Sequence, residues 1–192
     1  MGTDSEGKYV DKDVSLLQTL IQRIKENDLA AFKEFFLIHQ PGIFRFLFRY
    51  LADRELAEDL TQDTFIKFWL IRDKLDTSSS PKAYLYKIAR NLALNSINRK
   101  PPVTSITSNG SFFQSIISNT ENDYDRIFLL DEFQKAVNTL PERCRATFIL
   151  SRYDGFEYSE IAEILHVSLQ TVKNQMNKAI AVLRKRLASH LS

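Results

Sequence analysis

Apolar residues return every three or four positions along most of the chain, and no segment alternates cleanly between apolar and polar residues. That period belongs to helices rather than strands. Val14, Leu17, Ile21 and Ile24 open a first helix, and Asp28 is placed to cap a second that runs through Phe32, Phe35 and Phe36. Pro41-Gly42 should interrupt it, because proline lacks an amide donor and crowds the preceding turn. Ile43 to Leu51 then forms a short apolar helix, and Asp53 starts a long one reaching about Leu75. After the turn Asp76-Thr77-Ser78-Ser79-Ser80, Ser80 serves as N-cap and Pro81 as first residue of a helix that ends near Asn98.

Lys100-Pro101-Pro102 stops that helix, and the chain to Asn122 is rich in Ser, Thr and Asn without helical period. This stretch is expected to be a flexible linker, although Phe112, Phe113, Ile116 and Ile117 suggest that it docks somewhere. Four further helices follow, over residues 125–138, 141–153 (with Gly155 just beyond its end), 158–165 and 169–187. The expected fold class is all-α, with two small helical domains joined by the linker.

The last two helices form the sharpest local pattern. Ile161, Ala162 and Leu165 give a short helix one apolar edge, His166-Val167-Ser168 is a three-residue turn, and Ser168 caps the long helix after it. That helix turns Val172, Met176, Ala179 and Leu183 inward, and Gln170, Lys173, Asn174, Asn177 and Lys178 project from the other side. This is the form of a helix-turn-helix, in which the second helix offers its N-terminal half to a DNA major groove. Lysine can donate to guanine edges or phosphates, and asparagine can pair bidentately with adenine. His166 stands where the turn favours glycine, in a left-handed conformation that histidine adopts at some cost. A plain amphipathic helix pair would share the apolar pattern.

The helix after Asp53 is apolar on two sides. Leu56, Leu60, Thr64, Phe68, Ile71 and Leu75 make one face, and Phe65, Ile66 and Trp69 lie opposite beside Glu58, Asp59, Gln62 and Asp63. Unpaired carboxylates are rarely buried, so this second face should receive a partner that sets basic residues around an apolar centre, with Trp69 as anchor. Alternatively, the first helix covers it.

Charge adds a second pattern to the first. The chain has 192 residues and a formal net charge of +2, but residues 77–120 contain five bases and no acid, as do residues 164–192. Residues 1–76 carry a net −3 and residues 121–163 a net −5. Two acid-free basic segments suit two places on one polyanion, or else solvated faces balanced in space by the acidic blocks. Within the first of them, Tyr84 and Tyr86 among Lys87, Arg90 and Asn91 suit unstacked single-stranded bases, although Tyr84 fits the core equally well. The single Cys144 cannot form an internal disulfide, the N-terminus lacks a secretory signal and no apolar run is long enough to span a membrane. A cytoplasmic, soluble protein without membrane insertion is therefore expected. The sequence contains no Gly-rich phosphate loop, His-Glu-x-x-His or zinc-spaced Cys pair, so no catalytic residue, metal or cofactor is expected, and the chain is read as a non-enzyme.

The segments AEDLTQDTFIKFW (Ala57–Trp69), PKAYLYKIARNLALNSINRK (Pro81–Lys100) and the C-terminal helix-turn-helix, in that order, resemble the extracytoplasmic-function (ECF) group of bacterial RNA polymerase sigma factors. The resemblance implies a leading segment (1–27), a region 2-like domain (28–100), a linker (101–122) through the polymerase cleft and a region 4-like domain (123–192). It implies that Asp59, Gln62, Asp63, Phe65, Ile66 and Trp69 meet the β′ clamp helices of core polymerase, with the β flap as a further contact. Thr77, Ser78, Ser79 and Ser80 would hold a base flipped from the melted minus-ten strand, tracked by Lys82, Lys87, Arg90 and Asn91. Ser168, Gln170, Thr171, Lys173, Asn174, Asn177 and Lys178 would read the minus-thirty-five element. Gln175 and Asn177 depart from the bulkier or more basic residues common in that helix, and Asn95 from a frequent Asp. Members of the group are commonly held by an anti-sigma factor. Two other readings remain at this stage: a stand-alone helix-turn-helix regulator binding duplex DNA as a dimer, and a helical protein that binds only another protein through the Trp69 face.

Overall fold

The structure is a computed structural model and describes residues 17–75, 80–99 and 133–188. Every regular element among them is helical. The N-terminal domain comprises α1 (17–25), α2 (Leu29–Leu51), α3 (Arg54–Leu70), a 3₁₀ turn (Arg72–Lys74) and α4 (Pro81–Arg99). The C-terminal domain comprises α5 (133–138), α6 (Glu142–Arg152), α7 (Tyr158–Leu165) and α8 (Leu169–Ala188). Val14, Thr77, Ser78, Ser79, the linker 101–122 and the first part of the 125–138 helix lie outside the described residues.

The caps read from the sequence are formed. Asp28 accepts from the amides of Ala30 (2.8 Å) and Ala31 (3.1 Å), Asp53 from Leu56 (3.1 Å), and Ser80 from Ala83 (3.2 Å). Two expectations fail. Pro41 does not end its helix: α2 runs unbroken from Leu29 to Leu51 with Pro41 inside it. Phe35 before the proline and Ile43, Phe46, Leu47 and Tyr50 after it are all fully buried. Straightening the two halves into one rod buries these side chains together and outweighs the lost amide bond, which costs about 3 kcal/mol. The long helix from Asp53 also stops early, at Leu70, and the chain tightens into the 3₁₀ turn before Leu75 packs inward.

Leu20, Ile21 and Ile24 from α1 join the buried α2 residues with Leu60, Thr64 and Phe68 from α3 and Leu85, Ala89 and Ala93 from α4. The buried hydroxyls of Thr61 and Thr64 donate to the carbonyls of Ala57 and Leu60, both at 2.6 Å, so α3 sinks this face without orphaned polar groups. His39 is buried here with its ring 4.4 Å from that of Phe35. Burial, and secondarily the charge of Lys82, lowers its pKa from 6.5 to about 4. A histidine that titrates lower when folded takes up protons on unfolding, so its stabilising share is present above pH 6.5 and lost as pH falls through about 4. That difference amounts to about 3 kcal/mol. Urea denaturation at pH 7 and pH 4 is expected to show the loss in the native protein and a clearly flatter profile in His39→Leu.

The C-terminal core is built from Leu140, Ile149, Leu150, Ile161, Ile164 and Leu165 around Val172, Met176, Ala179 and Leu183 of α8. The two domains lie against each other, α6 on α2 and α7 on α4. Gly155, at φ +72°, takes a conformation natural to glycine and aims the turn after α6 at the N-terminal domain. Tyr86 of α4 packs edge-on against Phe156 of that turn, with ring centroids 4.8 Å apart. Gly42 of α2 leaves room for the same tyrosine: a Cβ there would stand 3.0 Å from the Tyr86 hydroxyl.

Candidate functional site

Three surfaces carry the residues singled out by the sequence. The first is the open side of α3. Asp59, Gln62 and Asp63 are exposed, and Ile66 is 57% exposed between them. Phe65 does not belong to this face. It is 2% exposed, its ring set edge-on to Phe36 at 4.7 Å. The helical wheel placed it on the second face, opposite the core stripe, but Phe36 of α2 packs against it and takes it out of that face. Trp69 is half-buried, 4.9 Å from Phe32, with the Arg72 guanidinium 4.5 Å over its ring. Arg72 is fixed there by donating to the carbonyl of Trp69 (2.8 Å) and to Asn27 Oδ1 (2.7 Å). Trp69 is thus a shoulder of the face rather than a free anchor.

Sequence reasoning missed Leu70 and Leu37, which are 67% and 62% exposed. Their signal was present, since each is a large aliphatic residue off the buried stripe of its helix. Between α2 and α3 runs an open cleft of about 660 Å³ lined by Phe36, Gln40, Phe44, Glu58 and Gln62 among others. Apolar walls ringed by amides and the Arg54–Glu58 ion pair suit a polypeptide partner.

The second surface is α4. Ser80 is exposed and Asn91 is exposed, accepting a 3.4 Å hydrogen bond from Arg90. Lys87 places its ammonium 5.5 Å from the ring centre of half-buried Tyr84. Lys82 and Arg90, expected to track a nucleic-acid strand, are instead turned towards the C-terminal domain. Lys82 Nζ donates to the carbonyl of Asp154 (3.4 Å) and lies 4.5 Å over the Phe156 ring. Arg90 stands 3.6 Å from Glu142, with its side chain only 14% exposed. The Tyr50 hydroxyl donates to the same Glu142 carboxylate, and the Tyr86 hydroxyl donates to Asp154 Oδ1 at 3.2 Å. Burial pushes the Asp154 carboxyl up to about 6, against the opposing hydrogen bond from Tyr86 and the charges of Arg49, Lys82 and Arg45. Burial, reinforced by these carboxylates, also raises both tyrosines well above their ordinary range, so they act as neutral donors.

The third surface is the helix-turn-helix. His166 adopts the left-handed conformation (φ 53°, ψ 51°) that the turn requires. Ser168 Oγ accepts from the Thr171 amide at 3.1 Å and lies 2.8 Å from the Thr171 hydroxyl. Val172, Met176, Ala179 and Leu183 are buried, and Gln170, Lys173, Asn174, Asn177 and Lys178 are exposed. The Gln170 amide donates to Asn174 Oδ1 at 3.0 Å, which pre-aligns two groups able to read a base edge. Gln175 sits apart from this face. The Thr147 hydroxyl of α6 lies 2.7 Å from Gln175 Oε1, so Gln175 fixes the rotation of α8 against its support.

Among the described residues, no group of His, Cys, Asp and Glu is placed to hold a metal ion, and no helix is long and apolar enough to cross a membrane.

Comparison with known proteins matches two parts of the chain to family models. The model of the family "Sigma-70 region 2" matches residues 35–101, and that of "Sigma-70, region 4" matches residues 130–183. The ECF RNA polymerase sigma factor SigW of Bacillus subtilis is 26% identical over 181 residues, covering 90% of this chain and 97% of its own. The RNA polymerase sigma-H factor of Pseudomonas aeruginosa is 28% identical over 88% of this chain and 93% of its own. Among solved structures, the sigma factor RpoE of Bartonella quintana, in complex with the anti-sigma factor NepR, superposes with a TM-score of 0.67 at 25% identity. That match covers 82% of this chain and 96% of RpoE. CnrH, in complex with the cytosolic domain of CnrY, gives 0.70 at 17% identity over 91% of this chain and 98% of its own, a likeness of fold.

Proposed function

Because this chain belongs to the extracytoplasmic-function group of RNA polymerase sigma factors, whose members direct promoter-specific transcription, we propose that its three surfaces divide that task. The group initiates transcription without catalysing a reaction of its own, so the chemistry to explain is recognition. The N-terminal domain, residues 28–100, docks on the β′ clamp helices through Asp59, Gln62, Asp63 and Ile66 of α3, with Trp69 at the edge. Leu37 and Leu70 extend that contact over the apolar rim. The observation that carries this assignment is an α3 whose core face is complete, leaving Ile66 and Leu70 exposed among carboxylates with no need to be buried within the chain.

Residues 77–80 and α4, with Lys82, Lys87, Arg90 and Asn91, receive the melted minus-ten strand. Unstacked bases lie against rings, and phosphates draw lysine and arginine by releasing bound counterions. The C-terminal domain, residues 123–192, presents Ser168, Gln170, Thr171, Lys173, Asn174, Asn177 and Lys178 to duplex DNA at the minus-thirty-five element, and also meets the β flap. An anti-sigma factor is a further partner, as it is for the Bartonella relative. The stand-alone regulator is disfavoured, since both domains match sigma-factor regions and the relatives span nearly the whole chain.

Gel filtration with sigma-free core polymerase tests the docking face. The native chain is expected to co-elute, and Asp59→Ala with Ile66→Ala to lose most of that association while melting like the native protein, because both side chains are exposed. Two charged and apolar interface contacts of this kind are worth roughly 2–4 kcal/mol together, or about thirty- to a thousandfold in affinity. Unchanged co-elution of the variant would refute this face.

A further inference from the structure

We propose that Leu169, the first residue of α8, packs against the C5-methyl group of a thymine in the major groove. It thereby adds an apolar contact to a face otherwise made of hydrogen-bonding groups. The inference rests on the minus-thirty-five reading of α8 and adds a specificity-determining residue to it.

A lone exposed leucine on a protein surface is ordinary, and it is the placement of this one that sets it apart. Among the described residues of the C-terminal domain, two large hydrophobic side chains are well exposed, Tyr153 at 37% and Leu169 at 44%. Tyr153 has partners: the Arg49 guanidinium lies 4.3 Å over its ring, and Phe148 meets it edge-on with centroids 6.3 Å apart. Leu169 belongs neither to the core nor to the apolar residues packed against it. The start of the helix does not need it either. Val167, just before the cap, packs against the core that contains Val172. These are the two positions at which an apolar pair fixes the entry of a chain into a helix. Ser168 supplies the polar cap by accepting from the Thr171 amide at 3.1 Å. With the entry fixed on both counts, Leu169 is held outward at the end of α8 that a helix-turn-helix sets into the groove.

Its neighbours decide what it meets. Leu169, Gln170, Lys173 and Asn174 are all exposed, and their helical spacing makes them one continuous patch. Gln170 and Asn174 are hydrogen-bonded to each other at 3.0 Å, and the segment 164–192 carries no acid to repel phosphate. A protein partner gathers several large side chains around its anchor, and leucine is a poor anchor. The described part of α8 exposes no second large apolar residue. One aliphatic group among amides and a lysine matches instead the single apolar group on a major-groove base edge, the thymine methyl. Cytosine lacks that methyl, so Leu169 separates two pyrimidines that a phosphate contact cannot tell apart.

The test uses the full chain bound to core polymerase. The native holoenzyme first selects its minus-thirty-five element from a randomised duplex pool. Uracil then replaces each thymine of that element in turn, on either strand, which removes the methyl group and keeps the groups that form hydrogen bonds. In competition binding in the cold, before melting, one such replacement should weaken native binding about fourfold, the roughly 0.8 kcal/mol of one buried carbon. Leu169→Ala should melt like the native protein, because the side chain is exposed. It should bind the thymine duplex more weakly and lose the difference between thymine and uracil. If no uracil replacement weakens native binding, or if the loss persists unchanged in Leu169→Ala, the proposal is overturned. The underlying reading is judged separately by Lys173→Ala with Asn177→Ala. Native affinity of that variant for the selected duplex would show that the outer face of α8 does not read the element at all. Weakened binding by that variant, with every uracil duplex bound like its thymine counterpart, would remove Leu169 alone.

Discussion

Lys173→Ala combined with Asn177→Ala should reduce promoter-directed transcription by about a hundredfold while leaving association with core polymerase intact. Both side chains are exposed on the outer face of α8, one turn apart, opposite its row of buried residues. Their loss should not disturb the fold. A side chain making a good contact to a base edge is worth about 1–3 kcal/mol of discrimination, and two of them near the lower end, at about 1.4 kcal/mol each, give two orders of magnitude. Run-off transcription on genomic fragments retained by the native holoenzyme measures this, with gel filtration as the control for docking. Transcription within a fewfold of native would remove these two residues from the reading face.

The largest expected effect on stability lies at Phe68. Its side chain is fully buried in the N-terminal core, stacked at 4.8 Å and 15° on the ring of Phe35. Truncation to alanine removes the transferred surface and leaves a cavity among rigid aromatic neighbours that cannot easily collapse into it, a loss of about 3–5 kcal/mol. A small domain has net stability of only about 5–15 kcal/mol, so Phe68→Ala should bring the N-terminal domain close to unfolding. Urea denaturation followed by the fluorescence of Trp69, which belongs to the same domain, reads the shift in midpoint. A cost below about 1 kcal/mol would contradict the packing described for α3.

Much of this architecture was legible because it is local. Asp28, Ser80 and Ser168 announce helix starts by chemistry that acts within three residues, and the row Val172, Met176, Ala179 and Leu183 needs only the helical period. His166 was readable from turn length alone. The misreadings share another origin. Pro41 is a strong local stop signal, yet burial on both sides of it is a tertiary effect that a segment cannot report about itself. Phe65 has the same angular position whether or not Phe36 lies above it, so a wheel cannot decide its exposure. Least legible of all was the contact between domains. Tyr50 meets Glu142 across 92 positions and Tyr86 meets Asp154 across 68, and no periodicity links residues so far apart. The acid-free segment before the acidic one was visible as charge, but its two readings, a polyanion site or a face balanced by neighbouring acids, stood as alternatives. In the structure, Arg90 of the expected strand path is balanced by Glu142, and Lys82 donates to the backbone carbonyl of Asp154.

The contact between the domains has a consequence for how the partners of this chain sense one another. A partner that held the two domains apart would free Lys82 and Arg90 of α4, and a partner that occupied Lys82 and Arg90 would hold the same two domains apart. Linkage would make that influence symmetric in equilibrium binding: whatever factor one such partner added to the affinity for the other, the other would add to the affinity for the first. A partner that binds only the docked arrangement lowers both affinities by one common factor. Asp154 and Glu142 would then give two distant binding events a shared free energy without any ligand touching another.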